Sequence, residues 1–374
     1  MPRSPRILVV GAGIAGLSLA AALRQRGIHP TVIEKTPRYG DVGYVIGLWP
    51  MGRRVLEQLD LGARFEAATV PVNHYVTHGG DGKTLRRFDF GARLGRDTPR
   101  TLRRAELIEL LREGTEVRMG RTIESIEQNG RAVRVRFDDG EYGEFDVVVG
   151  ADGIRSRVRD LVAGEVPLRR TGVRLWTWWV HDTGLPADEV HEFWGTGRFF
   201  GYNPTLGAVG CAAALRTDGA HDPPRLRERL AGLAGPSAWL IDTLDEAARV
   251  DSFDLDDLRM RRWVFGRVVL IGDAGAAFLP TAGVGASMAM ESAQVLAEEL
   301  TTTDTDALPE ALRRYARRRR RRVDAVQNRS RWLVVLMMPR TRIGTATRTL
   351  LLRAVPERLM IDEITRWNPT RDEE

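Results

Sequence analysis

The sequence predicts an α/β fold: a parallel sheet with helices on its faces, interrupted by a mainly antiparallel β-sheet insertion and followed by C-terminal helices. Three observations predict it. An apolar run near the N-terminus breaks at glycines and turns into a helical pattern, two later apolar runs end on Gly-Asp or Ala-Asp turns, and a Trp-rich stretch between them alternates with period two.

Arg6-Ile7-Leu8-Val9-Val10 has the character of a buried parallel strand, and it runs into Gly11-Ala12-Gly13-Ile14-Ala15-Gly16. Ile14, Leu17, Ala20, Ala21 and Leu23 then recur at helical spacing up to Gly27, a C-terminal stop, and Thr31-Val32-Ile33-Glu34 makes the second strand. Each glycine of this Rossmann-like unit has a mechanical reason: a tight turn, close approach of backbone to a pyrophosphate, and close packing of helix on strand. The helix N-terminus adds free N–H groups and a positive dipole end, worth about 0.3 to 1 kcal/mol per favourable charge. Glu34, with Lys35 after it, stands 18 residues beyond Gly16, near the spacing at which a carboxylate accepts ribose hydroxyls.

A chain of 374 residues buries a large core and divides into two domains. Hydrophobic residues make up 43% and charged residues 28%, with no apolar signal segment before the first strand and no membrane span, which together imply a cytoplasmic protein. Cys211 is the only cysteine and sits in an apolar run, so no intrachain disulfide forms and no Cys-based metal site exists; the metal expectation is none. The net charge is +6, but Lys35 and Lys83 are the only lysines and the arginines are scattered, so nucleic acid is not an expected partner. The run from Arg317 to Arg322, preceded by Arg313 and Arg314, reads as a solvated helix face.

After the second strand, Val55, Leu56 and Leu59 suggest a short helix, and Arg104-Ala105-Glu106-Leu107 opens another that runs to Leu111. Strands follow at residues 123–126, 133–137 and 145–149, with Asn129-Gly130 and Asp139-Gly140 as turns. The last of these delivers Gly150-Ala151-Asp152-Gly153 to the carboxyl edge, where ligands of open α/β sheets collect. From Val173 to Leu215 the pattern becomes an aromatic-rich antiparallel sheet, in which Trp176 and Trp178 share one face and Trp179 points to the other. Val264 to Ile271 returns to an apolar strand ending at Gly272-Asp273-Ala274. A small, Gly-rich loop with Pro280 then leads through Gly283-Val284-Gly285 into a helix from Ala286 to Leu300.

In order and spacing these segments resemble the class A flavin monooxygenases, the family with the para-hydroxybenzoate hydroxylase fold, over residues 5 to about 328. The resemblance implies that Gly11, Gly13, Ala15 and Gly16 hold the ADP half of FAD, with Glu34 on the ribose. It sets Arg104, in an Arg-x-x-Leu motif, on the flavin side and links Asp152 and Gly153 to both FAD and NAD(P)H. Asp273 then lies near the ribityl chain and Gly283, Val284, Gly285 and Ala286 beside the isoalloxazine ring. Two departures bear on the ring's surroundings: Gly275 and Ala276 stand where many relatives carry histidine, and Tyr44-Val45 stands where relatives carry a smaller pair.

The implied reaction has NAD(P)H, bound transiently, reduce FAD, O₂ add to the reduced ring, and a flavin C4a-hydroperoxide transfer one oxygen to the substrate. The cofactor carries the chemistry, so no protein nucleophile is expected and no catalytic residue is assigned. The aromatic cluster points to a small aromatic or polycyclic apolar substrate, hydroxylated or epoxidised, with Trp176, Trp178, His191, Phe193, Tyr202 and Pro280 as candidate contacts. His74 and His78 share a strand face and read as surface or satisfied histidines. The expected division is residues 1–70, 100–162 and 263–328 for FAD, 71–99 and 163–262 for substrate, and 329–374 as a C-terminal helical segment. Two other readings remain open on the sequence: a flavoprotein reductase or dehydrogenase without oxygen insertion, and a non-catalytic FAD-fold ligand-binding protein.

Overall fold

The structure is a computed structural model that describes residues 3–40, 43–217 and 224–366. The apolar runs at Ile7–Val10, Thr31–Glu34, Val117–Met119, Val147–Gly150 and Val268–Leu270 pair side by side in parallel, and Val264–Phe265 closes one edge antiparallel. Helices Ile14–Gln25 and Gly285–Thr301 pack on this six-stranded sheet, and Leu8, Val9, Leu17, Leu19, Val148, Val269 and Leu296 are fully occluded in the core between them. This arrangement brings the carboxyl ends of three strands, at Val10, Gly150 and Leu270, to one edge.

The run expected as one strand over 145–149 divides in two. Tyr142–Phe145 ends an antiparallel three-stranded sheet with Ile123–Gln128 and Val133–Phe137, and Val147–Gly150 starts afresh in the parallel sheet. Asp146 makes the joint: buried, it accepts hydrogen bonds from the Arg6 backbone N–H and the Arg3 guanidinium, each at 2.7 Å.

The second large sheet has eight strands in the order Ala276–Ala277, Asp251–Arg259, Arg169–Val180, Ala208–Arg216, Arg198–Thr205, Glu189–Trp194, His74–Gly79, Thr84–Asp89. All neighbours run antiparallel except Glu189–Trp194 with His74–Gly79. A small sheet of Val45–Leu48, Arg100–Arg103 and Val70–Pro71 joins the two large ones. Its Thr101 hydroxyl donates to the Pro204 carbonyl at 2.5 Å.

At the C-terminus a single helix, Leu308–Met337, runs through residue 328, so a boundary there falls inside one rigid element. Helices Arg342–Ala354 and Glu357–Arg366 follow, and residues 367–374 lie outside the described residues. The arginine run is only in part the solvated face expected of it: Arg313, Arg317, Arg318 and Arg321 are exposed, while others turn inward. Arg319 is buried and paired with Glu291 at 2.7 Å, Arg314 and Arg318 both reach Glu299, and Arg320 stacks 4.0 Å from the Trp263 ring centroid. Acidic partners on the preceding helix thus draw these cations inward. Cys211 is buried mid-strand, where loss of solvent pushes its thiol well above the ordinary range.

Candidate active site

Three loops separated by more than a hundred residues each meet at the carboxyl edge of the parallel sheet. Gly11 (φ +104°) lies so close to the second loop that a Cβ would stand 2.5 Å from the Ala151 carbonyl oxygen and 2.7 Å from the Asp152 Cα. Gly272 (φ +57°) abuts the Ala15 methyl, 2.8 Å from where its own Cβ would be, which joins the third loop to the first. A side chain at Gly16 would overlap the Gly11 carbonyl. Gly13, Gly153 and Gly285, by contrast, have no heavy atom within 4 Å of a Cβ position: they face open space.

The polar groups around that space divide by how they are already employed. Glu34 accepts from the Ala12 N–H at 2.9 Å and the Thr36 N–H at 3.0 Å, which holds its carboxylate against the first loop. Lys35 is exposed beside it. Asp152 serves its own loop: the Ser156 hydroxyl donates to Oδ1 at 2.5 Å and the Val158 N–H to Oδ2 at 3.1 Å, and burial raises its pKa against the opposing effect of these bonds. Asp273 accepts no hydrogen bond from any described residue. It is accessible yet deeply surrounded, and burial lifts its carboxyl to about 6, with the Arg104 charge opposing the rise. Tyr44 sits between them, its phenol raised by burial while Arg104 pulls the other way.

These features suit a flavin dinucleotide. The open glycines leave room for a pyrophosphate, the start of the helix Gly285–Thr301 offers N–H groups without intrahelical partners, and Asp273 has acceptor capacity to spare for hydroxyl groups. Gly283 (φ +61°) adopts the left-handed turn that begins this helix, and a Cβ there would touch the Trp49 indole nitrogen at 3.4 Å. The Ser287 hydroxyl accepts from the Trp49 backbone N–H at 3.2 Å, tying that tryptophan to the loop.

The eight-stranded sheet presents two different faces. Trp176, Trp178, Phe193, Phe200, Tyr202 and Cys211 share the outer one, packed with Leu226, Leu230, Leu240 and Leu244 from the helical layer Pro224–Asp245. The Trp178 indole donates to Thr243 of that layer at 3.1 Å. His191 is on this face too, stacked on Tyr202 at 4.8 Å and bonded at 3.0 Å to His78. The expected substrate contacts Trp176, Trp178, His191, Phe193 and Tyr202 are therefore corrected: their side chains fill the space between sheet and helices, away from the nucleotide loops. Pro280, the remaining candidate, is exposed at the start of the loop before Gly283.

The inner face carries the alternate residues. Trp179 lies under the Arg103 guanidinium at 4.9 Å, Val45 packs over Gly210, and Phe253 meets Tyr44 at 5.9 Å. Thr177, Asn203, Glu192 and Tyr75 are on the same side. None of Trp49, Tyr75, Arg103, Thr177, Trp179 or Glu192 was singled out from the sequence as a site residue. The available signal was the period-two alternation that already set Trp179 opposite its neighbours.

Comparison with known proteins agrees with this geometry. A family model described as an FAD binding domain matches residues 5–330. A 3-amino-4-hydroxybenzoate 2-monooxygenase of Streptomyces platensis is 35% identical over 349 residues, covering 87% of each chain. The chain belongs to the class A FAD-dependent monooxygenases. The monooxygenase is also 32% identical to a 2-heptyl-3-hydroxy-4(1H)-quinolone synthase of Pseudomonas aeruginosa, with 88% of each chain covered. Its fold matches that of Klebsiella pneumoniae HpxO complexed with FAD and uric acid, at 28% identity and a TM-score of 0.89 over 98% of this chain and 97% of the other. FAD is its cofactor, and NAD(P)H as reductant is typical of the family. The reductase and binding-protein alternatives give way to this result. Among the described residues no helix is long and apolar enough to cross a membrane, and no group of three or more His, Cys, Asp or Glu is placed to hold a metal.

Proposed function

We propose that this monooxygenase uses O₂ and NAD(P)H to hydroxylate a small, planar aromatic compound bound on the inner face of the eight-stranded sheet. The overall stoichiometry is substrate, O₂, NAD(P)H and a proton giving hydroxylated substrate, water and NAD(P)⁺. The observation that carries the reading is the convergence of Gly11, Asp152 and Asp273 at one edge, beside Tyr44, which feels both Arg104 and Asp273 and meets Phe253 of that face ring to ring. The relatives' named compounds, an aminohydroxybenzoate, a quinolone and urate, support a ring substrate.

Bound FAD supplies hydride acceptance and O₂ activation; the protein binds, orients and excludes water. In our reading Gly11, Gly13, Ala15 and Gly16 cradle the pyrophosphate while Glu34 and Lys35 flank the adenosine ribose. Asp152 and Gly153 shape the adjoining loop. Asp273 accepts from ribityl hydroxyls with Arg104 balancing its charge, and Gly283, Val284, Gly285 and Ala286 line the ring's edge with backbone N–H groups. Pro280 and Trp49 border the substrate. Residues 1–70, 100–162 and 263–328 serve the cofactor and 71–99 and 163–262 the substrate, and the helix Leu308–Met337 continues without a break from the first unit into the C-terminal segment. The enzyme works in the cytoplasm. The test is ¹⁸O₂ incorporation during NAD(P)H oxidation by the FAD-loaded enzyme with aromatic candidates. Label in the product is the expected outcome; oxidised NAD(P)H with unlabelled product in every case refutes it.

A further inference from the structure

Strand parity sets Glu192 on the inner face, between the outward His191 and Phe193. Its carboxylate is used unevenly. The Tyr75 hydroxyl donates to Oε2 at 2.6 Å and the Trp194 indole N–H donates to the same oxygen at 2.8 Å. Oε1 receives no hydrogen bond from any described residue, and it is not among the occluded polar atoms that lack a partner, so it opens onto accessible space. A buried carboxylate with one oxygen fixed by two donors and the other free is a preorganised acceptor.

Its surroundings tie that acceptor to the cofactor loops. Tyr75 stacks on Phe90 at 5.8 Å and 13°, Phe90 meets Trp49 at 6.1 Å, and Trp49 rests against Gly283 and Ser287. An unbroken aromatic wall therefore runs from the loop before the helix Gly285–Thr301 to Glu192. Across the sheet, Glu192 pairs in one row with Gly201, Ala212 and Thr177. The row spans three strand spacings, roughly 14 Å, and the Phe199 ring packs over Gly201, 2.9 Å from where a Cβ would stand. At the far end of the row stands the Thr177 hydroxyl, occluded from solvent and without a hydrogen-bond partner.

We propose that Glu192 Oε1 is the specificity-determining acceptor of the substrate site and selects aromatic substrates that present an N–H donor, such as a ring N–H or an arylamine. The proposal rests on the reading that the inner face binds substrate. No arginine or lysine is bonded to Glu192 among the described residues, so an anionic group presented there meets repulsion rather than a partner. Burial raises the Glu192 carboxyl, and the two donated bonds oppose this by favouring its ionised form.

The test measures equilibrium binding to the FAD-loaded enzyme through perturbation of the flavin absorbance, independently of turnover. The probes are matched pairs that differ only in the donor: 4(1H)-quinolones with N–H against N-methyl, and aminophenols with NH₂ against N,N-dimethyl. The wild-type enzyme is expected to bind the N–H member at least about tenfold more tightly, the scale of a hydrogen bond to a charged group. In Glu192→Gln the amide oxygen is claimed by Tyr75 and Trp194, which turns the NH₂ into the cavity. That variant loses the preference and gains affinity for ring-nitrogen acceptors such as quinoline. Glu192→Leu abolishes both preferences, and flavin content and circular dichroism confirm that each variant is folded. Equal wild-type affinity within pairs, a preference surviving in either folded variant, or failure of every N–H probe to bind overturns the proposal. Absence of ¹⁸O incorporation leaves these binding results standing and bears only on the oxygenase reading.

Discussion

The two faces of the eight-stranded sheet are built from the same strands and alternate residue by residue, yet they do opposite jobs. The outer face concentrates the large aromatics Trp178, Phe193 and Phe200, each almost fully occluded, against a helical layer. The inner face sets small residues, Gly201 under Phe199 and Gly210 under Val45, among polar groups with unused bonding capacity, Thr177 and Glu192. Aromatic density here marks a core, because large rings contribute most where water is wholly excluded. Incompletely used polar atoms distinguish the face that lies nearer Tyr44 and Arg103.

If that contrast holds, Trp178→Ala on the outer face costs about 3–5 kcal/mol in denaturant unfolding, through lost burial and the cavity left behind. Flavin content and the N–H preference of the folded fraction stay unchanged. A next effect comes from the outer-face pair His78 and His191. Burial, then the charge of its neighbour, lowers His78 to about 4, while burial lowers His191 against the pull of Glu189, itself paired with Arg87. The unfolded chain binds a proton near pH 6.5 that the folded chain refuses until about pH 4. Stability therefore falls as pH drops through that window, by ~2 kcal/mol once partial exposure is discounted, and levels off below it. Thermal melts from pH 7.5 to 4 would show this limb, and His78→Gln would flatten it.

Asp273 has the reverse sign. Burial raises its folded carboxyl to about 6, so the apo protein holds a proton that the unfolded chain has already released. This contribution is present below the unfolded value and lost as pH rises through about 6. Because the carboxylate is accessible and solvent screens it, Asp273→Asn is expected to stabilise the apoprotein at pH 7 by no more than about 1 kcal/mol while weakening FAD retention, compared by melts with and without added FAD. Smallest is the stability change in Glu192→Gln, within about 1 kcal/mol by denaturant unfolding, since the amide oxygen still accepts from Tyr75 and Trp194. A large loss there would mean that Glu192 is a structural group and that the faces differ less than described.

The cofactor loops were legible because their constraints are local. A glycine at position 11 or 16 is demanded by backbone in immediate contact, and an apolar run followed by helical spacing specifies a strand-turn-helix within a few residues. The break at Asp146 was not legible: Phe145 and Val147 look alike, and only the backbone of distant Arg6 makes the carboxylate a joint. The inward turn of Arg314 and Arg319 was hidden for a related reason, since the glutamates that draw them are on another helix.

Strand periodicity alone establishes that Trp176 and Trp178 share a side and Trp179 does not. Chain order and glycine spacing likewise establish the nucleotide-binding edge and the family. Which side of the sheet meets the cofactor is a different kind of fact. Both faces are rich in apolar residues, so the pattern is symmetric until the helical layer Pro224–Asp245 covers one of them and the strands Val45–Leu48 and Arg100–Arg103 approach the other. Burial is a property of what packs against a residue, and those neighbours arrive from parts of the chain that no local pattern encodes.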